Sequence, residues 1–125
     1  MRLNPDCVRD IMLTLEEKLI IDEDGKTISL SFEEVSQMSS LKHYEKPILF
    51  FHLNELFECN MLKSGKRYIN ESHPQIANIT NNGYMFIDSI KSDTKWTKFK
   101  TSLKSIGTLT LPTLLEIFLN NKLGN

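Results

Sequence analysis

Residues 46–62 constrain the fold of this chain more than any other segment, because they read as one helix that leads directly into a strand. Apolar residues recur through this stretch at the spacing of a helix face. Asn60 readily adopts the left-handed conformation in which helices end, and the two apolar residues after it continue as a strand. The residues predicted to line the core are Leu49, Leu53, Leu56 and Phe57. Those predicted on the outward side are Pro47, Phe51, Asn54, Glu55 and Glu58.

Two capped helices precede this stretch. The run Asn4-Pro5-Asp6 has the composition of a helix start, and apolar spacing carries the first helix to about Lys18. Ser31 and Glu34 form a capping box, which predicts a second helix. Between the two helices, residues 27–30 alternate like a short strand.

A hairpin is predicted directly after the long helix. Its strand-like pieces are Met61-Leu62, Tyr68-Ile69 and residues 76–79, and the segment between the first two is polar and basic. This order of helices and strands is that of a winged helix-turn-helix domain, with residues 46–62 in the position of the recognition helix and the hairpin as the wing.

Three more helices are predicted in the remainder of the chain. Thr80 is expected to cap the fourth, and either Asp93 or Thr94 the fifth, which ends at Gly107. The last helix starts at residues 110–112. The fold class is therefore α+β and mainly helical. A chain of 125 residues suits one domain, with a winged-helix core over about residues 1–92 and a helical extension over about 93–123.

The last helix is apolar nearly all the way round, so it must be buried in its own domain or against a second subunit. We expect a homodimer that is formed through this helix. The residues predicted at the dimer interface are Leu111, Leu114, Leu115 and Phe118.

The net charge of −1 conceals a difference between the two halves of the chain. Residues 1–60 carry 6 basic and 12 acidic side chains, whereas residues 61–125 carry 9 and 4. This asymmetry is typical of proteins with nucleic-acid or protein partners, and also of halves that neutralise each other in the fold. No apolar run is long enough to span a bilayer and no signal segment is recognisable, so the sequence predicts a cytoplasmic protein without a membrane partner.

No motif of an enzyme or a cofactor site is recognisable in the sequence. A phosphate-binding glycine loop, a nucleophile elbow and a zinc-protease motif are all missing. His52 and Cys59 share one side of the long helix, but no paired motif supplies two further metal ligands. Cys7 and Cys59 are interpreted as buried, unreactive thiols. We therefore predict a non-enzymatic protein with no cofactor and no metal.

Several groups of residues resemble a family of short bacterial and phage-borne proteins known as domain of unknown function 2513. Residues 3–11 resemble the start of the family pattern, and Phe51-His52 stands where the family has Tyr-His. Asn60 stands where a glycine is usual. The second matching block consists of Ile79-Thr80, Gly83, Phe86-Ile87, Ile90, Asp93-Thr94, Trp96 and Lys100. The resemblance implies a winged-helix-like fold and a frequent prophage context, and it implies no activity.

Binding to double-stranded DNA is the leading hypothesis, because a winged-helix domain usually places its third helix in the major groove and its wing on the backbone. The residues predicted to contact DNA are Lys46, Asn54, Lys63, Lys66, Arg67, Lys91, Lys95 and Lys98. The same lysines are equally consistent with a solvated basic surface. The long helix itself argues against a DNA contact, because Glu55 and Glu58 would repel phosphates and no arginine is present on it.

The alternative hypothesis is a phage-type protein-interaction module. It would inhibit a host or defence protein, for example one that binds nucleic acid, through the acidic face of the long helix. Phe51 lies among polar residues on that face, where an exposed ring would mark a contact site. Coverage of this ring by the first helix or by the C-terminal helices is the competing interpretation. The predicted protein interface consists of Phe51, Glu55 and Glu58.

Overall fold

A computed structural model describes residues 2–123, with side chains over residues 2–118. Within these residues the chain forms six helices and one two-stranded antiparallel hairpin, so the prediction of a mainly helical α+β fold is confirmed. In chain order the elements are α1 (Pro5–Lys18), α2 (Phe32–Ser36), α3 (Lys46–Glu58), β1 (Leu62–Ser64), β2 (Ile76–Ile79), α4 (Asn81–Ile90), α5 (Asp93–Leu103) and α6 (Leu111–Leu123). None of the described helices is long and apolar enough to cross a membrane.

Helix starts follow the local signals of the sequence. The Asn4 side chain accepts hydrogen bonds from the first backbone N–H groups of α1, and Ser31 and Glu34 form the reciprocal capping box of α2. Thr80 caps α4 as predicted. The cap of α5 was predicted wrongly, because Ser92 accepts the backbone N–H of Lys95 and starts the helix one residue earlier.

The junction between α3 and β1 is formed as predicted. Asn60 has φ 59°, the left-handed conformation that ends a helix. The backbone N–H of Met61 then donates to the carbonyl of Leu56 (2.9 Å), and Leu62 pairs with Ile79 across the hairpin. The end of α3 is therefore fixed directly to the sheet.

The hairpin differs from its prediction at its tip. Tyr68-Ile69 is not a strand, because the backbone N–H of Glu71 donates to the Tyr68 carbonyl (3.0 Å) and closes a turn there. The predicted strand at residues 27–30 is reduced to isolated bridges, one of which joins Leu30 to Ile76 through N–H···O bonds of 3.0 and 2.7 Å. The backbone at Leu30 thus extends the hairpin on the β2 side.

The core is built around α1, which packs against both α3 and α4. Its fully buried side chains are Cys7, Val8, Ile11, Met12 and Leu15. On α3 the buried residues are Leu49, His52, Leu53 and Leu56, whereas Phe57 is only half-buried. The buried residues of α5 are Trp96, Phe99 and Leu103, but the helix ends at Leu103 and does not extend to Gly107 as predicted.

Candidate nucleic-acid interface

An open groove of about 800 Å³ lies between the outward face of α3 and the hairpin. Asn54 and Glu58 contribute from the helix and Lys63 from β1, and all three are exposed. The remaining lining residues are Phe57, Asn60, Leu62, Ser64 and Pro74. The structure therefore brings the amide of Asn54 and the ammonium of Lys63, both predicted to contact DNA, to the same groove as the Glu58 carboxylate.

The first turn of α3 provides less positive charge than its sequence suggests. The ammonium group of Lys46 lies 2.7 Å from the Glu33 carboxylate of α2, and more than half of each side chain is exposed. Glu55 is half-buried further along the helix, and Glu58 is exposed. The outward face of α3 is therefore acidic, since its one basic residue is paired with an acid.

The wing loop, residues 65–75, carries most of the exposed positive charge near this groove. Lys66 and Arg67 are exposed, and Glu71 is the acidic residue of the loop. Among the residues that the structure describes, neither Lys63 nor Lys66 forms an ion pair with a carboxylate. These cations are therefore available to a partner.

Internal contacts connect the two sides of the wing loop and attach it to α2. The guanidinium of Arg67 donates to the Ser72 carbonyl (2.9 Å), and the Gly65 N–H donates to the Gln75 carbonyl (2.6 Å). The ring of His73 stacks on Phe32 at a centroid distance of 4.4 Å, which attaches the loop to α2. Sequence reasoning assigned His73 no role, because its partner lies 41 positions earlier on another helix.

The other predicted lysines form a second group, with Lys91 directly after α4 and Lys95 and Lys98 on α5. Lys91 forms an ion pair with Glu16 of α1 (3.1 Å), so its charge is partly neutralised. Lys95 and Lys98 are exposed on α5 and pair with no carboxylate within the described part of the chain. α5 packs on α4, whereas the hairpin contacts α3 and α4.

Phe51 is half-buried at the rim of a smaller cavity of about 320 Å³. Arg2 and Glu55 place opposite charges at this cavity. Its other lining residues are Leu3, Thr108, Leu109, Thr110 and Leu111, so the connection between α5 and α6 lies at the same cavity as the Phe51 ring. Both interpretations of Phe51 are thus met in part, since the ring is partly covered and keeps some accessible surface.

The residues predicted at a dimer interface divide into two pairs. Leu111 and Leu114 are buried within the chain's own core and offer no surface to a second copy in this arrangement. Leu115 and Phe118 are half-buried, and Phe118 stacks on Phe99 of α5 at 4.4 Å. Of the two explanations for the apolar helix, burial in the same chain accounts for its first turns.

Polar side chains of α1 connect it to the helices around it. Asp6 accepts a hydrogen bond from the indole N–H of Trp96 (2.9 Å) and pairs with Lys100 (3.0 Å). Burial alone would raise the pKa of Asp6, but these two partners lower it below the usual value. The sequence identified Asp6 only as part of the helix start and gave no signal of these contacts.

Arg9 holds the start of α5 against α1. Its guanidinium donates to the Ile90 carbonyl (2.8 Å) and to the Asp93 carboxylate (2.7 Å), and it lies 5.7 Å from the centroid of the Trp96 ring. Arg9 is therefore a structural residue, although its charge suggests an exposed surface position.

Neither cysteine has the environment of a reactive thiol. Burial and the nearby Asp10 carboxylate raise the pKa of Cys7 to about 12, and Cys7 is inaccessible. Burial, Glu55 and Glu58 also raise the pKa of Cys59, which is half-buried rather than buried as predicted. Both groups therefore remain protonated thiols near neutral pH.

His52 is fully buried, and both of its ring nitrogens are hydrogen-bonded. Nε2 accepts the backbone N–H of Asn4 (2.8 Å), and Nδ1 lies 2.7 Å from the Ile48 carbonyl, to which it can only donate. Coordination of a metal by His52 would require one of these bonds to break. Within the described residues, no three His, Cys, Asp or Glu side chains converge in a way that could hold a metal ion.

The comparisons with known proteins identify a family. No curated protein and no solved structure matches the chain. The family model described as a hypothetical protein, DUF2513, matches residues 2–110, which include α1 through α5 and the hairpin. The chain therefore belongs to the DUF2513 family.

Proposed function

We propose that this protein is a non-enzymatic winged-helix DNA-binding protein of prophage type, in which the wing supplies most of the affinity. The paired backbone at Leu30 and Ile76 supports the winged-helix assignment, because it adds a third strand-like piece from between the first two helices to the hairpin. The long helix α3 then occupies the position of the recognition helix. Its N-terminal end contacts α2 through the Lys46–Glu33 ion pair.

The observation that carries the proposal is the unequal placement of charge around the large groove. Lys63, Lys66 and Arg67 are exposed on the hairpin side, whereas the outward face of α3 carries Glu58 at the groove and Glu55 beside the smaller cavity. Phosphate contacts supply most non-specific DNA affinity, and each requires a cation that is not already neutralised. The wing has such cations and α3 does not. In this proposal the wing loop therefore lies along the DNA backbone, and Asn54 is the side chain of α3 best suited to contact a base edge.

Reversing two wing charges tests this proposal. Lys63→Glu with Lys66→Glu is expected to weaken binding to a short duplex by roughly tenfold or more at low salt. It is also expected to reduce the slope of log K against log salt concentration by about two, one for each lost phosphate contact. Fluorescence anisotropy over a salt series measures both quantities. Neither Lys63 nor Lys66 forms an ion pair within the described part of the chain, so the fold should be unaffected.

The matched control is Lys26→Glu with Lys42→Glu, which makes the same charge change at two exposed lysines of the acidic half of the chain. It should retain most of the affinity and the full salt slope. Equal losses in both double variants would mean that only net charge matters and would contradict a wing interface. Absence of wild-type duplex binding at low salt would refute DNA binding itself.

A protein-interaction module is the second candidate, and the cavity beside Phe51 favours it. An aromatic ring with accessible surface next to Glu55 is a suitable anchor for a basic, apolar segment of a host or defence protein. Phe51→Ala should then leave the circular dichroism spectrum intact and abolish capture of one defined protein from host extract. An unchanged set of captured proteins would contradict this candidate.

We also propose that the protein forms a homodimer, since a winged-helix dimer reads two half-sites with matching symmetry. Leu115 and Phe118 are the predicted interface residues that keep accessible surface. Sedimentation equilibrium measures the mass directly, and a monomer at all concentrations would refute the dimer.

A further inference from the structure

The apex of the wing loop carries two large hydrophobic side chains that keep accessible surface. Ile69 is fully exposed, and Tyr68 beside it is about half exposed at 52%. The hydrogen bond from the Glu71 N–H to the Tyr68 carbonyl puts Ile69 and Asn70 at the two central positions of a turn. These positions usually hold Gly, Pro, Asn, Asp or Ser, so Asn70 fits and Ile69 does not.

A stiff, β-branched side chain at an exposed turn apex does not stabilise the free protein. It does not favour the backbone conformation of the turn, and its apolar surface remains in water. The position is nevertheless well defined, because Arg67 donates to Ser72 across the loop and His73 stacks on Phe32. Ile69 is therefore carried at the tip of a loop whose base is attached to α2.

The charges around the apex indicate which partner would cover Ile69. Lys66 and Arg67 precede the apolar pair and Glu71 follows it, so the net charge at the apex is positive and favours an anionic partner that also offers an apolar surface. Duplex DNA combines the two, because phosphates flank the grooves and the faces of stacked bases become accessible when a step opens. Two other exposed isoleucines, Ile20 and Ile21, stand beside acidic residues 22–24 and lack this combination.

We infer that Ile69 acts as a wedge that inserts between two base pairs from the minor groove, with Tyr68 packed against the sugar and base beside it, and that the duplex is kinked as a result. This inference rests on the proposed DNA binding and adds the way in which the wing engages the helix. Proteins with apolar wedges partly unstack one step, and pyrimidine–purine steps such as TA open most easily. Specificity would then arise from the flexibility of one step as well as from base contacts of Asn54.

The test uses a duplex of about 30 base pairs with one central TA step, a length suited to measuring a local bend. A fluorophore pair on its ends reports bending, and 2-aminopurine at the step reports unstacking. We expect the wild-type protein to raise both energy transfer and 2-aminopurine fluorescence. Ile69→Ser is expected to abolish both signals while the salt slope of binding stays the same, because the cations are unchanged.

Ile21→Ser, at another exposed isoleucine, is the matched control and should leave both signals intact. Binding of the wild-type protein with a straight, fully stacked duplex would overturn the wedge and leave wing-mediated DNA binding standing. Equal signals from Ile69→Ser and the wild type would also overturn it. Binding to vesicles of phosphatidylcholine and phosphatidylserine, with no duplex binding at low salt, would overturn the wedge together with the proposed function.

Discussion

Replacing Gly83 with alanine is expected to lower the free energy of unfolding by about 3 kcal/mol, at the upper end of what overpacking usually costs. Gly83 lies in the first turn of α4, where its N–H donates to the Thr80 hydroxyl (3.0 Å). A methyl group at this position would overlap the Met61 carbonyl oxygen and would lie 2.6 Å from Cγ2 of Ile79. Since one of these neighbours is backbone, relief requires α4 to move away from the hairpin.

Displacement of α4 would also affect the candidate interface, because Thr80 at the start of α4 is hydrogen-bonded to the residues that follow α3. The hydroxyl of Thr80 donates to the Asn60 carbonyl (2.7 Å), and the backbone N–H of Thr80 donates to the Met61 carbonyl (3.1 Å). A displaced α4 would therefore release the junction from which the wing begins.

Denaturation in urea, followed by circular dichroism, measures the loss at Gly83. Gly107→Ala is the control, since a methyl group there meets nothing within 4 Å, and its effect should stay within about 0.5 kcal/mol. An unchanged midpoint for Gly83→Ala would show that α4 and the hairpin do not approach as closely as their contacts require.

Local signals in the sequence predicted most of the fold. Asn4, the Ser31–Glu34 box and Asn60 each act within a few residues of themselves, so the helix ends that they set could be read without knowing the tertiary structure. The error at Tyr68-Ile69 has the opposite origin. Strand propensity favoured pairing there, but the hairpin ends before it and the segment forms its turn.

The candidate site was less predictable, because what matters is which cations are already paired. The helical spacing correctly predicted that Asn54 and Glu58 lie on the outward side of α3. It could not reveal that Lys46 pairs with Glu33 or Lys91 with Glu16, since each partner lies on another helix. Contacts between distant segments decide these pairings, and no periodicity in the sequence encodes them.

The residues that carry the family resemblance mainly hold the scaffold together. Asp6 and Arg9 attach α1 to Trp96 and the start of α5, and Gly83 permits the close approach of α4 to the hairpin. None of them contributes a free charge to the large groove. Substitutions at these positions should therefore lower stability, whereas under the proposed DNA binding the exchange of Lys63 and Lys66 should lower DNA affinity at unchanged stability.

The protonation of His52 makes the stability of this scaffold depend on pH. Burial lowers the pKa of His52 below its usual 6.5, although the Ile48 carbonyl and Glu55 both favour the charged form. The unfolded chain therefore takes up a proton first as the pH falls below 6.5, and the free energy of unfolding decreases with it. A proton on Nε2 would also face the Asn4 N–H, so that two donors would oppose each other where α1 meets α3.

His52→Ala is expected to cost about 3 kcal/mol at neutral pH, because a buried ring is lost and the Asn4 N–H loses its acceptor. The variant should also lose the part of the pH dependence that begins below 6.5, whereas losses from Asp6, whose lowered pKa lies below 3.8, appear only in stronger acid. Urea midpoints measured across this interval for the wild type, His52→Ala and His43→Ala, with His43 an exposed histidine, separate the contributions. If His43→Ala flattened the curve and His52→Ala did not, the neutral, doubly hydrogen-bonded state of His52 would be refuted.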